Sequence, residues 1–161
     1  MPLLVLCIGS NENAAVNIRR ALTELERRYG PLRCSNVYRS AAMGFDGADF
    51  LNLAALAETD EAVPDAISWL KQLELRLGRV PDRPSFSSRP IDIDVFVPGA
   101  ADGAHGSLTV SHREVLDSAF ILCPLAELLP DHKLAPDGPD LVELWTRFDK
   151  SRHPLTRVDL D

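Results

Sequence analysis

Apolar residues recur along this chain with a spacing that switches between two and 3.6, in the order strand, helix, strand, strand, helix, strand. Leu3 to Ile8 is a short apolar run stopped by Gly9-Ser10-Asn11, and it reads as a buried first strand. From about Ala14 to Tyr29, Ile18, Leu22 and Leu25 share one helical face while Arg19, Arg20, Glu24 and Arg27 lie elsewhere. Gly30-Pro31 ends that helix, an αL-tolerant residue followed by a breaker. Arg33 to Ser40 and Phe50 to Glu58 read as strands, with a loop at Ala41 to Asp49 between them. A second helix starts near Pro64, a residue suited to a first helical position, and runs to Leu77 with Gly78 closing it. Ile91 to Val97 then alternates as a strand. Helical pattern resumes from about Arg113 and again at Leu141 to Phe148.

This order predicts an α+β fold of the ferredoxin-like, split βαβ kind: an antiparallel sheet with both main helices on one face and additional C-terminal helices. The opposite face is then available for a site. The 161 residues suit one domain, read here as 1–161 with a tail frayed from about Ser151. No apolar run approaches the roughly 20 residues that span a membrane, and Met1 to Ile8 is too short and lacks the basic flank of a signal peptide. The expected location is cytoplasmic. Cys7, Cys34 and Cys123 are odd in number, far apart and without a CxxC pair, so they read as buried free thiols. A net charge of −7 disfavours a nucleic-acid surface. It leaves room for a nucleotide substrate, since a local basic pocket with cations reverses the field inside one cleft. Nothing in the sequence asks for more than a monomer.

The chemistry concentrates around Ile91 to Phe96. Alternation sends Ile91, Ile93 and Val95 to the core and Asp92 and Asp94 together to the open face, about 7 Å apart at ~3.3 Å rise per residue. Two carboxylates so placed repel unless a cation lies between them, and magnesium favours one or two carboxylates plus substrate phosphates. A solvated polar face explains the pair equally well when the strand is taken alone. The preceding stretch, Arg79 to Pro90, holds three prolines, three serines and three arginines in twelve residues, which makes it a long loop. Arg79, Arg83 and Arg89 there have the bidentate geometry that suits phosphate, so the loop reads as a lid over a phosphate chain. Phe50 and Asn52 share a strand face, where a ring and an amide can stack on a flat heterocycle and bond its edge. His112 could donate to a phosphate oxygen, and Phe120 could supply a second ring, although its spacing alone makes it core.

Seven segments in this order resemble the 6-hydroxymethyl-7,8-dihydropterin pyrophosphokinase family of folate synthesis, from about Leu4 to Gly138. They are IGSN at Ile8 to Asn11, VYRS at Val37 to Ser40, FLN at Phe50 to Asn52, LELRLGR at Leu73 to Arg79, RPIDIDVF at Arg89 to Phe96, LTVSH at Leu108 to His112, and PDG at Pro136 to Gly138. The resemblance implies transfer of pyrophosphate from ATP to the hydroxymethyl oxygen of a reduced pterin, with AMP leaving. It implies that Asp92 and Asp94 hold two Mg²⁺ ions on the ATP phosphates and, with Arg79 and Arg89, carry the catalysis. Phe50, at a position usually tyrosine, and Phe120 would sandwich the pterin, and Asn52 would read its edge. Ser40, Ala41, Met43 and Gly44 resemble the pterin-side loop, while Glu74, Arg79, Phe86, Arg89, Thr109 and His112 fall on ATP-site positions.

Several residues depart from the family pattern. Phe86 and Ser88 stand where the lid usually has tryptophan and proline, Ser111 where LTVPH has proline, and Ala41-Ala42 where the pterin loop has Pro-Pro. Ser107 and Ser118 stand where bacterial members often have arginine on ATP. With a charged hydrogen bond at roughly 1.5–3 kcal/mol, two such losses predict ATP binding weaker by about two to four orders of magnitude, unless Arg83, Arg113 or Lys71 compensates. Two other readings therefore stay open at this point: a pterin-binding paralogue with another donor or no catalysis, and a non-enzymatic ferredoxin-like interaction domain.

Overall fold

The computed structural model describes residues 3–42, 46–80, 88–105 and 109–160. Its elements run β1 (Leu3–Ser10), α1 (Ala14–Tyr29), β2 (Arg33–Cys34), β3 (Val37–Ser40), β4 (Phe50–Glu58), α2 (Val63–Arg76) and β5 (Asp92–Phe96). The C-terminal part adds α3 (His112–Asp117), α4 (Ala119–Leu128), α5 (Leu141–Arg147) and β6 (Thr156–Val158). The sheet order is β5-β1-β4-β3-β6, with β2 beside β4, and every strand pair is antiparallel. This is the expected split βαβ order with one strand added.

Period-two alternation divides the sheet between two cores. Leu4, Leu6, Ile8, Leu53, Ala55, Ile93 and Val95 point to one face and pack against Ile18, Ala21 and Leu25 of α1 and Ile67, Leu70 and Leu73 of α2. Val5, Ala54 and Phe96 point to the other and meet Leu122, Leu125 and Ala126 of α4 and Leu141 of α5. The second face is thus not wholly open. The C-terminal helices cover the half nearer Val5 and Leu56, while Asp92 and Asp94, toward the Gly9 end, stay partly exposed.

Three local expectations differ from the fold. The strand read as Arg33 to Ser40 is broken at Ser35-Asn36. There the Ser35 hydroxyl accepts from Ala54 N–H at 2.9 Å, and Asn36 N–H turns to Glu127 of α4 at 2.7 Å. The tail expected to fray from about Ser151 instead contributes β6, paired with β3 through Val37↔Val158, Tyr38↔Arg157 and Arg39↔Thr156. Arg19 of α1 donates to the Leu160 carbonyl just beyond it. A three-residue edge strand carries too little periodicity to stand out in a polar tail. The cysteines are free as expected, but Cys34 is exposed on the short strand β2, while Cys123 is buried. No helix among the described residues is long and apolar enough to cross a membrane.

Candidate active site at the Gly9 end of the sheet

Register brings the site together. Gly9 of β1 pairs with Asp92 of β5 on one side and with Asn52 of β4 on the other, and Asn52 pairs in turn with Tyr38 of β3. In-register residues of an antiparallel sheet point to the same face. A carboxylate and an amide therefore flank a residue with no side chain, about 9.5 Å apart at two strand spacings. Gly9 is needed for this trough, because a Cβ there would lie 2.5 Å from Asn52 Oδ1. The next row places Asp94 opposite Cys7, and Ser40 pairs with Phe50 on the far side of Asn52. Tyr38, adjacent to Asn52, is held by α4 through its hydroxyl, which donates to Glu127 Oε1 at 2.7 Å.

Replacing Gly9 by alanine is expected to cost the fold about 1–3 kcal/mol, since the added Cβ must displace the Asn52 amide. With Asn52 as the expected reader of the heterocycle edge, its displaced amide should raise the KM for that substrate about tenfold, the worth of one hydrogen bond, with the KM of the phosphate donor unchanged. Steady-state kinetics with each substrate varied separately checks this, and equal rises in both KM values would count against the trough.

The residues expected on the phosphate side gather at the outer edge of β5. Pairing with β1 leaves the Ile93 N–H and C=O pointing outward, and α2 supplies both partners. Glu74 Oε2 accepts from Ile93 N–H at 2.5 Å, and Lys71 Nζ donates to the Ile93 carbonyl at 2.9 Å. Arg79 bridges Glu74 at 2.9 Å and Asp92 at 2.7 Å, Arg89 lies 3.5 Å from the other Asp92 oxygen, and Lys71 lies 3.3 Å from Asp94. Burial raises the Glu74 carboxyl above its ordinary pKa despite Lys71 and Arg79. Burial works against the Arg79 charge, yet the Glu74 and Asp92 carboxylates hold its pKa above the ordinary value. Burial and then Asp92 push Asp94 up to about 7, against the pull of Lys71. Asp94 still shows 44% of its side chain to solvent, so its acidic neighbours Asp92 and Glu74 give that direction however dry the site is. Two carboxylates so placed can share a cation once their present partners turn elsewhere, and the donor set fits magnesium. Among the described residues no three His, Cys, Asp or Glu side chains are grouped to hold an ion, so water or substrate oxygens must complete its shell.

Beyond the same edge, Thr109 forms a parallel bridge with Val95. Thr109 and His112 line a small cleft with Phe96, Asp102 and His105. Ser111 explains one departure from the family pattern. It is the N-cap of α3, accepting from Glu114 N–H while the Glu114 side chain accepts from Ser111 N–H, a capping box that a proline could not form. Phe120 is half-buried on α4, the helix laid across β4 on the Phe50 and Asn52 face. Ala41 is exposed just after β3. Met43, Gly44 and Phe86, together with Arg83 and Ser107, lie outside the described residues.

Sequence reasoning missed three contributors. Lys71 entered only as a substitute for absent arginines, and the trough at Gly9 depends on cross-strand register. Asn11 ties the two halves together. Its amide donates to the Ala48 carbonyl at 3.1 Å and accepts from Arg89 N–H at 2.7 Å, while Ser10 Oγ donates to the Pro90 carbonyl at 2.5 Å. The IGSN segment was the available signal, but its partners are 37 to 80 residues away.

The sequence has known relatives. Residues 5–130 match the family model of 7,8-dihydro-6-hydroxymethylpterin-pyrophosphokinase. The chain belongs to that family. Among relatives, a 2-amino-4-hydroxy-6-hydroxymethyldihydropteridine pyrophosphokinase of Pseudomonas aeruginosa is 34% identical over 86% of this chain and 87% of its own length. One from Synechocystis is 28% identical over 90% of this chain and 75% of its own. The mitochondrial folate synthesis bifunctional protein of Pisum sativum is 30% identical over 90% of this chain, which spans 28% of that longer protein. This pyrophosphokinase is accordingly an ATP-dependent diphosphotransferase of folate biosynthesis.

Proposed function

We propose that the Gly9 trough holds 6-hydroxymethyl-7,8-dihydropterin on its β4 side and the ATP phosphates on its β5 side. The observation that carries this reading is the register row Asp92–Gly9–Asn52, with a phosphate-side carboxylate and a heterocycle-reading amide on one face. Phe50 and Phe120 are the two rings for the pterin, Asn52 bonds its edge, and Ser40, Ala41, Met43 and Gly44 border it. Arg79 and Arg89 meet the phosphate oxygens, and Glu74, Phe86, Thr109 and His112 complete the nucleotide side. Asp92 and Asp94 would hold two Mg²⁺ ions, whose contribution when bound is to neutralise charge on the phosphate chain.

Transfer of this kind asks the protein for positioning and electrostatics more than for covalent help. The pterin hydroxymethyl oxygen attacks the β-phosphorus, the bond to the α-phosphate oxygen breaks, and AMP leaves. Arg79, already shared between Glu74 and Asp92, is pre-oriented to follow that charge. No side chain is assigned as general base. We read the domain as 1–161 and the enzyme as a cytoplasmic monomer that binds neither nucleic acid nor membrane, in keeping with its acidic balance.

The test is AMP release by purified protein with ATP, Mg²⁺ and the pterin, against a control without pterin. Pterin-dependent AMP is the expected result. Folded protein that releases none would sink the reading and return the question to a pterin-binding paralogue.

A further inference from the structure

The carboxylates at the edge of β5 are already matched without metal. Glu74, Asp92 and Asp94 face Lys71, Arg79 and Arg89, three negative charges against three positive ones. Lys71 is the cation on Asp94. Its ammonium has three N–H donors, and three acceptors surround it: Ile93 O at 2.9 Å, Glu74 Oε2 at 3.3 Å and Asp94 Oδ1 at 3.3 Å. Its side chain is 38% exposed, so the flexible four-carbon stem can swing outward.

We propose that Lys71 is a resident counter-cation that keeps divalent metal off Asp94 until a nucleoside triphosphate arrives. The inference rests on the assignment of Asp92 and Asp94 as metal ligands. A divalent ion entering alone meets a balanced cluster and a fixed ammonium a few ångströms away, a repulsion worth well over a factor of ten at the dielectric of a protein surface. A triphosphate brings several negative charges with it. It gives the ammonium a new partner and frees Asp94 for the metal that accompanies it. Lys71 is thus a positioning residue that makes metal entry depend on nucleotide. Its loss should tighten metal binding in the absence of nucleotide, which a purely structural lysine would not do.

The experiment is Mn²⁺ titration of the nucleotide-free full chain at pH 8.5, followed by loss of the free-ion EPR signal. It compares the wild type with Lys71→Met, Lys71→Gln and each of these combined with Asp94→Asn. Lys71→Gln keeps a donor for the Ile93 carbonyl, so one variant stays folded if the methionine does not. Both lysine variants are expected to bind Mn²⁺ at least about tenfold more tightly than the wild type, with the gain removed by Asp94→Asn. Equal affinity in wild type and lysine variants, or none measurable in any, overturns the role of Lys71. Loss of turnover in Asp94→Asn would then leave the metal assignment standing. A gain that survives Asp94→Asn puts the ion elsewhere and overturns both.

Discussion

The Asp94→Asn variant is expected to lose turnover by about 100–1,000-fold and yet, at pH 8 without ligands, to melt about 2–4 °C above the wild type. Loss of function follows from removing one of the two carboxylates assigned to metal. The gain in stability follows from crowding that Lys71 offsets only in part, because Asp94 shares its corner with Asp92 and the buried Glu74. An aspartate titrates near 3.9 in an unfolded chain, whereas here it is pushed up to about 7. Between those values the folded protein binds the extra proton, so stability present at lower pH is lost as pH rises through 7. Asparagine carries no charge to lose. Solvent reaches 44% of the Asp94 side chain, and screening holds the effect to a fraction of the full shift. Thermal melts at pH 5 and pH 8 check the sign: the variant's advantage should appear at pH 8 and vanish at pH 5. An advantage of equal size at both pH values would refute the crowding, and undiminished turnover with saturating Mg²⁺ would refute the metal assignment.

Removing Glu74 should act in the opposite direction. Glu74→Ala is expected to cost about 3–5 kcal/mol, the range for breaking a buried ion pair. Its side chain is 3% exposed, and it holds Arg79, Lys71 and the Ile93 N–H together. Alanine leaves that N–H on an edge strand without its partner and withdraws the negative charge that offsets two cations. The ATP KM should rise as well, since Arg79 loses the contact that orients it. Urea unfolding and ATP-dependent kinetics measure the two effects. A variant with wild-type stability would show that Ile93 finds another acceptor and that Glu74 is dispensable to the edge.

These two residues also mark where sequence reasoning succeeds and stops. The IDIDVF alternation was enough to put Asp92 and Asp94 on one face and Ile93 and Val95 in the core, because the pleat imposes period two on any strand. Helix bounds near Ala14, Tyr29 and Pro64 followed from periodicity and punctuation. Glu74 was tied to the nucleotide side only by family resemblance. Its link to Ile93 spans 19 residues and depends on α2 lying beside β5 at the edge of the sheet. The break at Ser35-Asn36 escaped notice for the same reason, since Glu127, which draws Asn36 away, lies 91 residues further on.

Local sequence therefore determined the element types, which face each strand buries, and the ordered segments that name the family. Those depend on interactions between near neighbours, and near neighbours are written in order. Tertiary structure alone decided that Gly9 separates Asp92 from Asn52, that Asn11 joins the loops at Ala48 and Arg89, and that β6 closes the sheet. It also decided that Lys71 stands on Asp94. Each of these depends on register or docking between distant segments, set by how the whole apolar surface of the sheet and helices packs and by no residue's own preference.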